Sequence, residues 1–483
     1  MREKNTLAVT ETAQLQVPGY NTYVQYRKYY VFGFISLIVF ASLKVAAKNT
    51  NYAWINTPKG NNTTHKLSYE ERVDVILKQT PLIGKILYKT YAFFPKSKWP
   101  IYCKLTDGHN DLADIIRTKF HNHIYSSNFT EPFIHGGLMG HVDLPRLAKG
   151  KVGGTFWSVY VECPVNVTDY SNQNYAESVR QTVSQVDLVR RLQKEYPETF
   201  SDPPNGTTAM HAFRSGRIIS PLGLEGLHSI GNSFSQLRMF YEIGVRYATL
   251  AHYCHNLFAD AAVVNTAQGG LEIPDPLWHG ISDLGKKAVF EMNRLGMLVD
   301  LAHVSHDTMR DVLGSGNKSW TGSLAPTIFS HSSAYALCPH PRNVPDDVLD
   351  LVKNTGSVVM VTFVPYFISC IPATEDKKLP AFDPSNSTIS RVVEHIMYIG
   401  ERIGYQHVGL GSDFNGIPTT PEGIDDVSSF PKVIELLLRK QVSDEDVAFV
   451  AGGSLLRVWK RVDEVAQELR FKGARPVEDI DGL

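Results

Sequence analysis

The stretch Thr106-Asp107-Gly108-His109-Asn110-Asp111-Leu112 closes an apolar, β-rich run. Alternate side chains on a strand share a face, so His109 and Asp111 point the same way. An imidazole beside a carboxylate is half of a site for a divalent metal. Taken alone the pair reads better as an Asx-rich turn with a solvated histidine. Later runs change that reading, because they end in further ligand types: Glu225, His252, His303, His331 and Asp413. These exceed the four ligands of one tetrahedral ion. They suit two ions bridged by a carboxylate and a hydroxide, which brings the nucleophile's pKa toward neutrality. Zinc is the natural ion for such a set, with manganese or cobalt suited to similar ligands. His306 lies past its strand end and is not assigned to the site.

The elements that must position these residues follow a simple alternation. Strand candidates fall at 104–110, 153–161, 218–225, 245–252, 297–303, 326–331, 356–363 and 406–413. The clearest helical patterns are 174–195, 233–243, 282–295, 345–353, 387–403 and 443–469. Eight strands alternating with helices predict an α/β fold, a (β/α)8 TIM-type barrel. Its catalytic groups belong at the C-terminal strand ends, where six of the eight runs place a ligand type. Parity sets Gly223 below Glu225 and Gly411 below Asp413, and predicts that Leu301 and Phe329 fill the layers beneath His303 and His331. Pro221 sits badly inside the third run. The rival, a doubly wound open sheet, lacks a glycine-rich phosphate loop after any strand.

The 483-residue chain has a net charge of −1, with 43% apolar and 20% charged residues, and carries no basic stripe for nucleic acid. Its exception lies near the N-terminus. Residues 29–47 are apolar apart from Lys44, follow Arg27 and Lys28, and predict a transmembrane helix. The expected organisation is a cytosolic tail at 1–28, the anchor, a stalk at 48–67 and a catalytic barrel at 68–483. That organisation would make a single-pass type II membrane protein with its catalytic part lumenal or extracellular; a cleaved signal peptide is the rival. Seven sequons (Asn61, Asn62, Asn128, Asn166, Asn205, Asn317 and Asn386) agree with a glycoprotein. Five cysteines without CxxC spacing permit disulfides in that compartment.

Asp-Gly-His-Asn-Asp-Leu, Leu-Glu-Gly-x-His-Ser-Ile, Thr-Leu-x-His-x-Cys, Leu-x-His-Val-Ser, Phe-Ser-His-Ser-Ser-Ala-Tyr, Arg-Asn-Val-Pro-Asp-Asp and Gly-Ser-Asp-Phe occur in that order. Together they resemble the membrane (renal-type) dipeptidase family, zinc metallopeptidases of the amidohydrolase-like barrel. The resemblance implies hydrolysis of dipeptides with two zinc ions per chain. His109 and Asp111 would bind the first ion, His303 and His331 the second, and Glu225 would bridge them. His252 would polarise the substrate carbonyl. Arg342 would clamp the terminal carboxylate. Asp413 would hold the free amine or shuttle a proton. The resemblance also implies disulfides Cys163–Cys254 and Cys338–Cys370, a free Cys103, and a homodimer. Leu227 and Asn415 stand where the family usually has Gly and Asp, which bears on pocket shape. Two other readings remain: a different barrel hydrolase, and a tethered barrel of this family that binds without catalysis. Relatives of the first kind begin with HxH and bridge through a carboxylated lysine; here Asp111 and Glu225 take those places.

Overall fold

Short runs rich in Val, Leu and Ile build the strands of this computed structural model, which describes residues 67–78, 105–266, 268–315, 319–375 and 378–479. The strands are β1 (Leu105–Asn110), β2 (Val152–Tyr160), β3 (Leu222–Glu225) and β4 (Val245–Thr249). They continue with β5 (Leu298–Asp300), β6 (Ile328–Phe329), β7 (Val358–Val361) and β8 (Val408–Leu410). Each pairs in parallel with its sequence neighbour, and β8 returns to β1 with Leu410 opposite Asp107, so the barrel is closed. All eight expected strands are present. Helices lie between them, among them Asn172–Glu195, Asp283–Leu295 and Ile389–Ile403. The helix before β5 starts where Ser282 Oγ accepts from the Gly285 amide and stops at Gly296, at φ 92°.

Three expectations are corrected by the structure. β3 begins after Pro221, which has no N–H to give to a ladder. The pattern at 443–469 divides into Asp444–Ala448, a π-turn at Phe449–Gly453 and the helix Ser454–Phe471. The predicted layering beneath His303 and His331 is corrected as well. Leu301 and Phe329 belong to the large core shared with the surrounding helices, beside Val299, Met292 and Val359. Leu298 and Ile328 fill the inner cluster with Phe156, Tyr247, Val358 and Met360, closed by Trp459 of the last helix. The inward positions two residues further on are therefore Asp300 and Ser330. His303 and His331 follow after the chain has left the extended state, His303 at φ 67°.

Two disulfides tie the loops beyond the strand ends. Cys163–Cys254 joins the segments after β2 and β4, and Cys338–Cys370 those after β6 and β7, as the resemblance implies. They close loops of 91 and 32 residues, which restricts the unfolded chain. A compact unit begins at Leu67. The expected anchor at 29–47, the tail before it, the stalk to residue 66, Cys103 and the sequons at Asn61, Asn62 and Asn317 lie outside the described residues. Among the described residues no helix is long and apolar enough to cross a membrane.

Candidate metal centre

One carboxylate oxygen organises the mouth of the barrel. Glu225, at the end of β3, has Oε1 3.2 Å from His303 Nε2, 3.4 Å from His109 Nε2, 3.6 Å from His331 Nε2 and 3.7 Å from His252 Nε2. His109 Nε2 is also 3.2 Å from Asp111 Oδ2 and 3.9 Å from Asp413 Oδ1. The four histidines and Asp111 are buried. Seven side chains from six strand ends, the outermost two 304 residues apart in sequence, thus meet around one point. Of these, Asp111, Glu225, His252, His303 and Asp413 line a cleft of about 160 Å³ together with Asp114, Tyr160, Tyr253, Asn415 and Gly416.

Burial sets the protonation of the set. It pushes His252, His303 and His331 well below the ordinary imidazole range, with Arg342 adding to each, so all three are neutral. Neutral imidazole is the form that binds metal. At His109 burial acts the same way, but Tyr247, Glu225 and Asp111 outweigh it and hold a proton there. Burial raises Glu225, and lifts Asp413 well above the usual carboxylate range with Asp111 contributing to both. Buried carboxylates crowded in this way need positive charge. The donors fit divalent ions: His109 Nε2 and both Asp111 oxygens are buried without a hydrogen-bond partner among the described residues. At the barrel mouth three sets of donors each have their ligand atoms within 4.8 Å of one another: His109, Glu225 and His331; Glu225, His252 and His303; and His109, Asp111 and Asp413.

A ring of residues that sequence reasoning missed supports the donors. Asp300 Oδ2 accepts from Thr249 Oγ1 and Ser330 Oγ, both at 2.6 Å, and Oδ1 accepts from the amides of Ser330 and Ala302. Because the Ser330 hydroxyl proton goes to Asp300, its oxygen is left to accept from His331 Nδ1 at 2.8 Å. That fixes the tautomer, and His331 Nε2 presents a lone pair to the site. Asp107, pushed up to about 6 by burial, accepts from the Ser412 amide and hydroxyl and holds β8 to β1. Tyr247 Oη lies 2.7 Å from His109 Nδ1. Its ring reaches there because Gly223 has no Cβ; one would fall 2.1 Å from the ring. The available signal was a lone Asp inside two apolar runs and a Ser directly before His331. Asp300→Asn is expected to lower both kcat/KM and metal affinity tenfold to a hundredfold, roughly, with the fold intact. Steady-state kinetics beside a competitive metal titration would show it, and an unchanged affinity would contradict the relay.

The remaining sites differ in their setting. Asp413 sits at φ 63° and Asn415 at φ 71°, a left-handed path held in part by Asn415. Asn415 Oδ1 accepts from the His141 amide, and its own amide donates to His141 Nδ1. Leu227 is buried in the large core. Arg342 is fully buried against the Phe367 ring, 5.2 Å away, and is not among the residues lining the cleft. Its three guanidinium nitrogens have no hydrogen-bond acceptor of good geometry among the described residues. Tyr253, Asp413 and Glu225 are its electrostatic neighbours.

The architecture and sequence have known counterparts. A metallopeptidase of Rhodobacter sphaeroides, solved with a phosphinate mimic of the dipeptide L-Ala-D-Ala, superposes with a TM-score of 0.59 at 21% identity, over 74% of this chain and 99% of that one. The probable dipeptidase PvdM of Pseudomonas aeruginosa gives 0.58 at 22%, over 68% and 90%. At these identities the likeness is one of fold. Dipeptidase aclJ of Aspergillus oryzae is 44% identical over 378 residues, 78% of this chain and 81% of that protein. Dipeptidase tcpJ of Claviceps purpurea is 41% identical over 406 residues, 83% and 86%. The sequence pattern of the membrane dipeptidases, peptidase family M19, matches residues 102–473. With the barrel, its ring of buried donors and this match across most of its length, the chain belongs to the membrane dipeptidase family.

Proposed function

We propose that this chain hydrolyses the peptide bond of dipeptides with two zinc ions held by His109, Asp111, Glu225, His303 and His331. The observation that carries the reading is the single Glu225 oxygen facing four buried imidazole nitrogens within 3.7 Å. Zinc bound there supplies Lewis acidity, lowering the pKa of a water molecule toward neutrality and polarising a carbonyl. The protein's own groups do the rest. His252, neutral and with Nδ1 unpartnered, has a nitrogen free to donate to the oxygen that gains charge as the carbonyl is attacked. Asp413 takes the proton released by the attacking water and returns it to the departing amine. Arg342 offers a planar fork of donors for the terminal carboxylate. With Arg342 holding the carboxylate on one side of the reacting carbonyl and Asp413 meeting the amine on the other, there is length for a single peptide bond. The same proposal keeps the anchor at 29–47 and an oxidising lumenal or extracellular setting, which the two disulfides support.

The test is a panel of Ala- and Gly-containing dipeptides, assayed with the full chain before and after chelation. Hydrolysis lost on chelation and restored by zinc, with about two zinc per chain by elemental analysis, is expected. Turnover of lactones or phosphotriesters alone would overturn the reading. Arg342→Ala is expected to raise KM and lower kcat/KM on the order of a hundredfold without metal loss. An unchanged kcat/KM would contradict the clamp.

A further inference from the structure

Arg342 poses a problem of access: the group suited to the substrate's carboxylate is fully buried, while a different side chain stands at the cleft wall beside it. That side chain is Tyr253. It follows His252 directly and precedes Cys254, whose disulfide to Cys163 fixes the local backbone. Its ring packs edge-on against His252, 4.4 Å between centroids, and against His303 at 4.8 Å. The phenol is oriented by two of the histidines around Glu225 and has little freedom to turn. Its hydroxyl neighbours the Arg342 guanidinium, and a phenol carries an O–H to donate.

We propose that Tyr253 is a positioning residue that forms the carboxylate subsite jointly with Arg342 and makes the cleft select substrates ending in a free carboxylate. This rests on the dipeptidase reading above. In it, the Tyr253 hydroxyl donates to one carboxylate oxygen while the desolvated guanidinium beside it supplies the opposing charge. Tyr253 lines the cleft where Arg342 does not, so a further residue beyond that carboxylate would meet the phenol instead of open space. Selection for dipeptides then comes from a rigid aromatic wall as much as from charge.

Tyr253→Phe separates the hydroxyl from the ring that packs on the histidines, so the fold and the donor set are kept. Two readouts are needed: steady-state kinetics on a dipeptide, and calorimetric binding of a phosphinate dipeptide mimic as the free acid and as its carboxamide. The expected result is a KM raised on the order of tenfold with kcat within about twofold. Binding of the acid should weaken by a similar factor while the carboxamide is unaffected, and zinc content should not change. An unchanged KM, or equal weakening for acid and carboxamide, would overturn the assignment. If the wild-type chain hydrolysed no dipeptide the proposed function would fall and this inference with it; a hydrolysing wild type matched by Tyr253→Phe removes Tyr253 alone.

Discussion

Glu225→Gln is expected to abolish dipeptide hydrolysis and to empty the site of metal. Glu225 Oε1 is the atom common to the His109 and His303 sides of the cluster, at 3.4 and 3.2 Å. An amide keeps the volume but offers one weakly basic oxygen and a pair of N–H donors. Those donors would face imidazoles that burial keeps neutral. The change also removes a negative charge, so the attraction for divalent cations falls. Metal catalysis contributes several kcal/mol of charge stabilisation, and each 1.36 kcal/mol is a factor of ten. A fall in kcat/KM of at least about a thousandfold follows. Elemental analysis should show the loss, and added zinc should restore little. Full zinc content with near-normal rate would remove Glu225 from the centre of the mechanism. The barrel itself should survive. Ser158 Oγ donates to Glu225 Oε2 at 3.3 Å, and the packing below is carried by the inner cluster of Phe156, Tyr247 and Met360.

Why so much of this centre was legible without coordinates is a matter of where the barrel puts its chemistry. Its catalytic residues sit where strands stop, and a strand stop is visible as a polar residue ending an apolar run. His109 and Glu225 could be found in that way because they still lie within their strands, whereas Asp413, at φ 63° beyond β8, was found as a polar end of an apolar run and not by alternation, so Gly411 is not set beneath it by parity. Alternation also misled. It placed Leu301 under His303 by counting two residues back, whereas the backbone has already turned at His303, with φ 67°. Residue parity does not survive a left-handed position. The supporting residues were less legible for another reason. Asp300, Ser330 and Ser412 act through hydrogen bonds across neighbouring strands, and such partners follow from register, which apolar patterning does not report. Tyr253 was hidden too, since an aromatic beside a histidine reads as packing until the buried arginine next to it is seen.

Asp413→Asn tests the other half of the chemistry, and its outcome separates two roles that geometry allows. Asp413 Oδ1 is 3.9 Å from His109 Nε2 and forms a donor group with His109 and Asp111, so it could serve as a ligand. It also lines the cleft, and burial together with Asp111 raises its affinity for protons, as a shuttle requires. An amide neither accepts a proton from the attacking water nor delivers one to the amine. General acid–base help is typically worth a hundredfold to ten-thousandfold, roughly, and kcat should fall within that range. The shuttle role predicts that zinc content and the affinity for a phosphinate dipeptide mimic stay near wild type while kcat falls. The pH profile should change as well. A carboxyl whose pKa is raised loses its ionised form as pH falls, so wild-type kcat should decline on the acid side as Asp413 takes up a proton. That component should vanish in Asp413→Asn, leaving a flatter and much lower acid limb. Loss of one zinc per chain would instead identify Asp413 as a ligand, and an unchanged kcat would exclude both roles.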